Sequence, residues 1–193
     1  MSIKGFIYNS PFVYRSFMKI LYRKEYLTRW EKVASQIEPA SSTLDVCCGD
    51  AGFRKLLHPS CCYRGIDINK SFEKEALRCG IDFIMMDIRV EEWPPADYVT
   101  MLGSLYQFIP DHQTLINKGL DAARKAFIIS EPIENLASKS VFLSKLSSIL
   151  INPGTHWSNE RFDRTSFLDV LEQNNCTEII ENGRELIGVF KKS

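Results

Sequence analysis

No run of apolar residues in this sequence approaches the roughly 20 that a bilayer-spanning helix requires. The opening stretch, MSIKGFIYNSPFVYRSF, scatters polar residues through every apolar segment and shows no clean apolar core followed by a small-residue cleavage site. It is expected to belong to the mature fold of a cytoplasmic protein. Charge of one sign is also missing: 24 basic and 24 acidic residues give a formal net charge of zero. The whole-chain balance therefore makes no electrostatic case for nucleic acid. The six cysteines show no CxxC spacing, so no metal site is expected. Four of them form the adjacent pairs Cys47-Cys48 and Cys61-Cys62, which are poorly placed to bond each other. Reduced, packed thiols are the expectation. No internal repeat or low-complexity linker divides the chain. Its 193 residues, 45% apolar and 25% charged, fit one soluble globular domain with a real core.

What is present is an alternation. Tyr26, Leu27, Trp30, Val33, Ala34 and Ile37 recur at helical spacing and predict an apolar helix face that ends at Pro39. STLDVCC then reads as a strand, and Phe53, Leu56 and Leu57 begin a helix ending near Pro59. CYRGIDI, DFIMMDI, ADYVTMLGS and KAFIISEP read as further strands, with helices over 71–79 and 111–125 between them. Phe142 to Leu150 and Phe167 to Leu171 mark two late helices, and TEIIENGRELIGVFKK reads as two strands joined around Asn182-Gly183. The pattern predicts an α/β, doubly wound, mostly parallel seven-stranded sheet. An antiparallel C-terminal hairpin closes it and an N-terminal helical segment is added. Within the single domain, residues 1–40 are expected to form a helical lid, 41–132 a cofactor-binding half, and 133–193 a substrate-side half. Ligands in such sheets bind at the carboxyl ends of the strands, where strand order reverses.

The stretch LDVCCGDAG, residues 44–52, is a strand followed by a glycine-containing turn. Counted one way, Cys47, Gly49 and Gly52 take the positions of a dinucleotide motif whose first glycine is missing. Asp67 follows about twenty residues on, at the end of the second strand, where a carboxylate can accept hydrogen bonds from both ribose hydroxyls. NAD(P) and S-adenosylmethionine both satisfy this much. Charge tilts the choice. A pyrophosphate wants backbone N–H groups and no nearby anions, and at an effective dielectric of about 20 two like charges about 4 Å apart cost roughly 4 kcal/mol. Asp45 and Asp50 flank the turn, so a cationic nucleotide is the better fit. No Tyr-x-x-x-Lys pair of the short-chain dehydrogenase kind occurs.

Four motifs in order then resemble the cofactor half of class I S-adenosylmethionine-dependent methyltransferases. Asp45, Cys47, Gly49 and Ala51 occupy the positions of that family's first motif, an acid followed by three alternating glycines; Cys47 and Ala51 depart from it. RGIDI resembles the second motif, IMMDI the third, and ADYVTMLGSLYQF the fourth strand and the loop after it. Together they cover about a third of the chain. The resemblance implies S-adenosyl-L-methionine as cofactor, with Asp67 holding the ribose and Asp87 the adenine amino group. It further implies cofactor contacts from Tyr14, Asp45, Cys47, Gly49, Asp50, Ile68, Ile88, Leu102 and Gly103. Tyr106 and His156 are the catalytic candidates, and Gln107, Trp157 and Arg161 the substrate-binding ones. The region after the fourth strand carries neither a cysteine of the cytosine-methylating kind nor the paired prolines of amino-methylating enzymes. Within this resemblance the expected acceptor is a small molecule, a lipid or a glycan. An NAD(P)-dependent oxidoreductase and a non-catalytic binding protein with this fold are the alternatives. Residues 1–30 carry six basic residues and one acid, interleaved with Tyr8, Phe12, Tyr14 and Phe17. This segment is expected to close over the cofactor, with weak contact to an anionic membrane surface as another use.

Overall fold

The computed structural model describes residues 10–22, 25–133 and 160–192. Five strands come in the first two thirds of the chain: β1 (Ser42–Val46), β2 (Cys62–Asp67), β3 (Asp82–Met85), β4 (Ala96–Leu102) and β5 (Ala123–Pro132). The hairpin β6 (Glu178–Asn182) and β7 (Glu185–Lys191) completes a seven-stranded sheet of order β3-β2-β1-β4-β5-β7-β6. β7 runs antiparallel to both β5 and β6, and the other neighbours are parallel. The chain therefore leaves β1 toward β2 on one side and returns to β4 on the other. The crevice at the carboxyl ends of β1 and β4 is the switch point where a ligand is expected.

Burial follows from this position. Ala126 to Ile129 of β5 are at most 2% exposed, as a central strand covered on both faces should be. On one face β5 and its neighbours meet α5 (His112–Ala122) and α6 (Arg164–Gln173) through Leu115, Ile116, Phe167 and Leu171. On the other, Val33, Ile37, Phe53 and Leu57 close a second cluster. α4 (Lys70–Arg78) packs Phe72 and Ala76 on Phe83 of β3. Asp163 and Ser166 start α6 with a reciprocal capping box, and Asn69 caps α4 by accepting from the Ser71 N–H.

Gly119 lets α5 approach the sheet. A Cβ there would sit 2.4 Å from the ring of Phe127, which is itself fully buried. A ring in a packed core cannot move aside cheaply, so Gly119→Ala should destabilise the fold by about 1–3 kcal/mol, read as a lower denaturation midpoint at unchanged m-value.

Three elements differ from the sequence expectation. The N-terminal segment carries α1 (Pro11–Tyr22), and its helix is interrupted between α2 (Glu25–Thr28) and α3 (Glu31–Ala34). Trp30, at φ −106° and ψ 2°, leaves the helical region and interrupts the run. The segment at Phe53 is one short 3-10 turn, Gly52–Leu56, rather than an α-helix; it must deliver the chain to β2 by Cys62. The hairpin loop is Gly183-Arg184, because Asn182 still pairs with Glu185, and Gly183 takes the positive φ of 63° at the first loop position. The helix expected over Phe142 to Leu150 lies outside the described residues. Among the described residues, no helix is long and apolar enough to cross a membrane.

Candidate ligand site at the switch point

β1 ends at Val46 and the chain turns sharply. Cys47, Gly49 and Ala51 all adopt left-handed backbone, with φ of 57°, 55° and 54°. The turn thus keeps the conformation that three glycines would take freely, and the two substituted positions carry a cost of roughly 1–2 kcal/mol each. Ala51 offsets part of it by burying its methyl group, at 2% exposure.

Asp67, at the end of β2, fastens this turn. Its Oδ2 accepts from the Gly49 N–H at 3.0 Å and its Oδ1 from the Asn69 N–H at 2.9 Å. Burial pushes its carboxyl up, and the backbone N–H groups of Asn69, Gly49 and Ile68 oppose that. Asp45 lies beneath the turn, 2% exposed, accepting from the Tyr63 hydroxyl at 2.7 Å and the Thr100 hydroxyl at 3.0 Å. Burial pushes its pKa up to about 7 against those hydrogen bonds, helped by the nearby Asp67 and Asp50. Gly65 sits opposite Asp45 in the parallel pairing and leaves room for Cys48, whose Sγ is 2.6 Å from where a Cβ would be.

The N-terminal segment covers the turn. Arg15 Nε donates to Asp50 Oδ2 at 2.8 Å, and the Tyr26 hydroxyl donates to the same oxygen at 3.4 Å. Tyr14 lies over Gly49 and edges onto Phe72, with ring centroids 5.0 Å apart. Asn182 of the hairpin donates to the carbonyls of Thr28 and Arg29, so β6 holds the far end of this cover. A cavity of about 50 Å3 remains between cover and turn, walled by Tyr22, Arg29, Asp45, Asp50, Leu102 and Gly103 among others. Asp50 is thus already paired within the chain, and Asp45 is the acid left to face a cation there.

The remaining expected contacts divide. Asp87 is held by Arg89 through both carboxylate oxygens, at 2.9 and 2.7 Å, and that guanidinium keeps its carboxyl below the usual range. Ile68 is half exposed at the end of β2, with Met85 similarly exposed at the end of β3. The Ile88 side chain is buried in the core, so a ligand can meet only its backbone. Tyr106 is buried in the second 3-10 turn (Leu105–Phe108), with half-buried Gln107 beside it. Arg161 stacks over the Tyr106 ring at 4.1 Å and donates to its hydroxyl at 3.4 Å. His156 and Trp157 lie outside the described residues.

Two buried carboxylates stand behind Tyr106. Glu131 is 1% exposed, accepts from the Leu105 N–H at 2.6 Å and so positions the turn that carries Tyr106. Burial pushes its pKa up to about 8, with Glu185 adding repulsion and Arg161 opposing it. Glu185 accepts from the Ser130 hydroxyl at 3.1 Å. Neither Glu185 nor the Arg15, Tyr22 and Arg29 of the cover was legible as a site residue in the sequence. The excess of base over acid in residues 1–30 was their one trace.

A carboxyl whose folded pKa is raised stabilises the fold while protonated. Stability is lost as pH climbs from its unfolded value toward its folded one. For Glu131, the rise from 4.5 to about 8 corresponds to roughly 5 kcal/mol. The melting temperature should fall between about pH 4.5 and about pH 8. Glu131→Gln keeps an acceptor for the Leu105 N–H, so its melting temperature should fall less over that range and exceed the wild-type value at the alkaline end.

No family model matches the chain, and no curated protein matches it in sequence. Solved structures do match. The magnesium protoporphyrin IX methyltransferase of Synechocystis, with bound S-adenosylhomocysteine, superposes at a TM-score of 0.65 and 17% identity, over 92% of this chain and 86% of that one. The fold is that of the class I S-adenosylmethionine-dependent methyltransferases. Human N-acetylserotonin methyltransferase, in complex with S-adenosylmethionine, gives 0.66 at 15% identity over 97% of this chain and 58% of that one. An O-methyltransferase family 2 protein of Planctomyces limnophilus, in complex with apigenin, gives 0.66 at 14% over the whole chain and 62% of that protein. The chain thus spans only about three fifths of the length of these last two methyltransferases.

Proposed function

We propose that this chain is a methyltransferase that takes S-adenosylmethionine as cofactor and methylates a small-molecule, lipid or glycan acceptor. The observation that carries this is Asp67 at the switch point. An ionised carboxylate offers about four lone-pair sites. The Gly49 and Asn69 N–H groups use two, which leaves two for the ribose hydroxyls of a nucleotide on the Cys47–Ala51 turn. The half-exposed Ile68 and Met85 offer apolar contact to a base beside Asp67, and Asp87 would accept from its exocyclic amine by giving up part of its pairing with Arg89. Asp45 supplies the negative charge that a sulfonium and an ammonium favour, and Leu102 and Gly103 border the reacting end. Bound S-adenosylhomocysteine, S-adenosylmethionine and apigenin in the structural neighbours support the same class of ligands.

When bound, the cofactor supplies a methyl carbon on a sulfonium leaving group. The chain's own task is to align an acceptor and keep water out. Tyr106 and Gln107, on the turn held by Glu131, face this task with Arg161 across the ring. Burial pushes the Tyr106 hydroxyl above its ordinary pKa, so it serves as a hydrogen-bonding group rather than a phenolate base. The cover, residues 11–30, has to shift to admit a nucleotide, since about 50 Å3 is far below the roughly 300–1,000 Å3 of a pocket for a drug-sized ligand.

The same narrow cavity favours a second reading, a binding protein that keeps the fold without turnover. Incubation with methyl-labelled S-adenosylmethionine and a panel of phenols, carboxylic acids, glycans and lipids separates the two. Label transferred to one acceptor class is the expected result. Cofactor binding with no transfer to any class would favour the binding protein.

A further inference from the structure

The chain crosses from β3, on the sheet edge, to β4, beyond β1, through residues 86–95. Such crossovers usually carry an α-helix, and none lies in this one. Met86 and Ile88 bury their side chains in the core, while Asp87 between them stays accessible. The turn that follows closes on itself. The Asp87 carbonyl accepts from the Val90 and Glu91 N–H groups at 3.2 and 3.1 Å, and Glu91 Oε1 accepts from the Asp87 N–H at 2.9 Å. The pairing of Arg89 with Asp87 is internal to the same turn. These bonds set the shape of the turn and not its place beside β2. That place is fixed from α5. Lys118, half-buried near the middle of the helix, donates from Nζ to the carbonyls of Ile88, Arg89 and Glu91 at 3.1, 3.0 and 2.9 Å. An ammonium has three donors, and all three are used here. Hydrogen bonds from a charged donor are the stronger kind. The Trp93 indole adds a fourth, to the Ile88 carbonyl at 3.0 Å. Leu115, Ile116 and the close approach at Gly119 seat α5 on the sheet. Support therefore runs from the core through Lys118 to the peptide groups that carry Asp87.

We propose that Lys118 is a positioning residue for base recognition. By holding three carbonyls of the turn it keeps the Asp87 carboxylate where the exocyclic amine of a purine can donate to it, and so sets the preference for an amino-bearing base. This role rests on the proposed function, which puts an adenine nucleoside at Asp67. A hydrogen bond is short and directional, so a shift of about 1 Å in the turn breaks it. Apolar contact of the base with Ile68 and Met85 is non-directional and tolerates the same shift. Lys118 therefore governs selectivity at the base more than overall affinity.

The test is calorimetry of the full chain with S-adenosylhomocysteine and with its analogue in which hydrogen replaces the 6-amino group. The wild type should prefer S-adenosylhomocysteine by about tenfold or more, the worth of one hydrogen bond to a carboxylate, and Asp87→Ala should remove that preference. Lys118→Met, which keeps the apolar stem and loses the ammonium, should bring the two affinities within about threefold of each other, with the affinity for the analogue little changed. If Lys118→Met does not fold, Lys118→Gln, whose amide is too short to reach all three carbonyls, is measured in its place. A staple that served stability alone would lower the melting temperature and leave the ratio where it was. A folded Lys118 variant that keeps the wild-type ratio, an Asp87→Ala protein that keeps it, or a wild type that binds both nucleosides alike overturns the role of Lys118 and leaves the methyltransferase reading standing. A wild type that binds neither nucleoside overturns both.

Discussion

Asp67→Ala should reduce affinity for S-adenosylhomocysteine by about a hundredfold or more. Two hydrogen bonds to an ionised carboxylate are worth about 1.5–3 kcal/mol each, and a ribose would make both. The same substitution strips the acceptor from the Gly49 and Asn69 N–H groups, so the turn loses its fastening before any ligand arrives. Leaving those donors unpaired costs about 1–3 kcal/mol, which for a chain of this size lowers the melting temperature by roughly 2–4 °C per kcal/mol. Asp67→Asn separates the two effects. Its amide oxygen can still serve the Asn69 N–H, while its amine would face the Gly49 N–H donor to donor. It should therefore retain part of the stability and almost none of the affinity. An Asp67→Ala protein that binds the nucleoside normally would remove Asp67 from the site.

The second large effect concerns Asp45. Its pKa of about 7 means that a cationic ligand must displace a proton from it at lower pH. Affinity for S-adenosylmethionine should then rise with pH up to about 7 and level off above, falling by up to about tenfold per unit below. Asp45→Asn should flatten that profile and weaken binding at alkaline pH. It should also raise stability there, because the ionised form is disfavoured by roughly 4 kcal/mol, taking the rise from 3.8 to about 7. The expected pattern is a more stable protein that binds less well. S-adenosylhomocysteine lacks the sulfonium charge and should show the weaker pH dependence of the two. Binding of S-adenosylmethionine to Asp45→Asn with unchanged affinity and profile would show that the cation does not meet this carboxylate.

Local pattern made much of the framework legible. Continuous apolar runs such as KAFIIS announced buried parallel strands, and their alternation with helices fixed the doubly wound sheet. Asp67 was legible because its role depends on distance along the chain from a turn, which the sequence displays. Other features depend on partners far apart in sequence. Arg15 neutralises Asp50 across 35 positions, so one of the two acids that argued for a cationic nucleotide is spent inside the protein. Asn182 grips the carbonyls of Thr28 and Arg29 from the opposite end of the chain. Tyr26 and Trp30 are expected on one apolar helix face from their spacing; both are packed into the interior, and both also border the cavity, which spacing alone does not display. Cys47 and Ala51 looked like defects in a glycine motif. The backbone keeps the left-handed conformation at both, so the turn survives with strain in place of freedom.

Calorimetric titration of the folded protein with S-adenosylhomocysteine, and separately with NAD, tests the account most directly. It predicts one-to-one binding of S-adenosylhomocysteine at micromolar level and no measurable heat with NAD. No binding of S-adenosylhomocysteine, or stabilisation by NAD in its place, would contradict it.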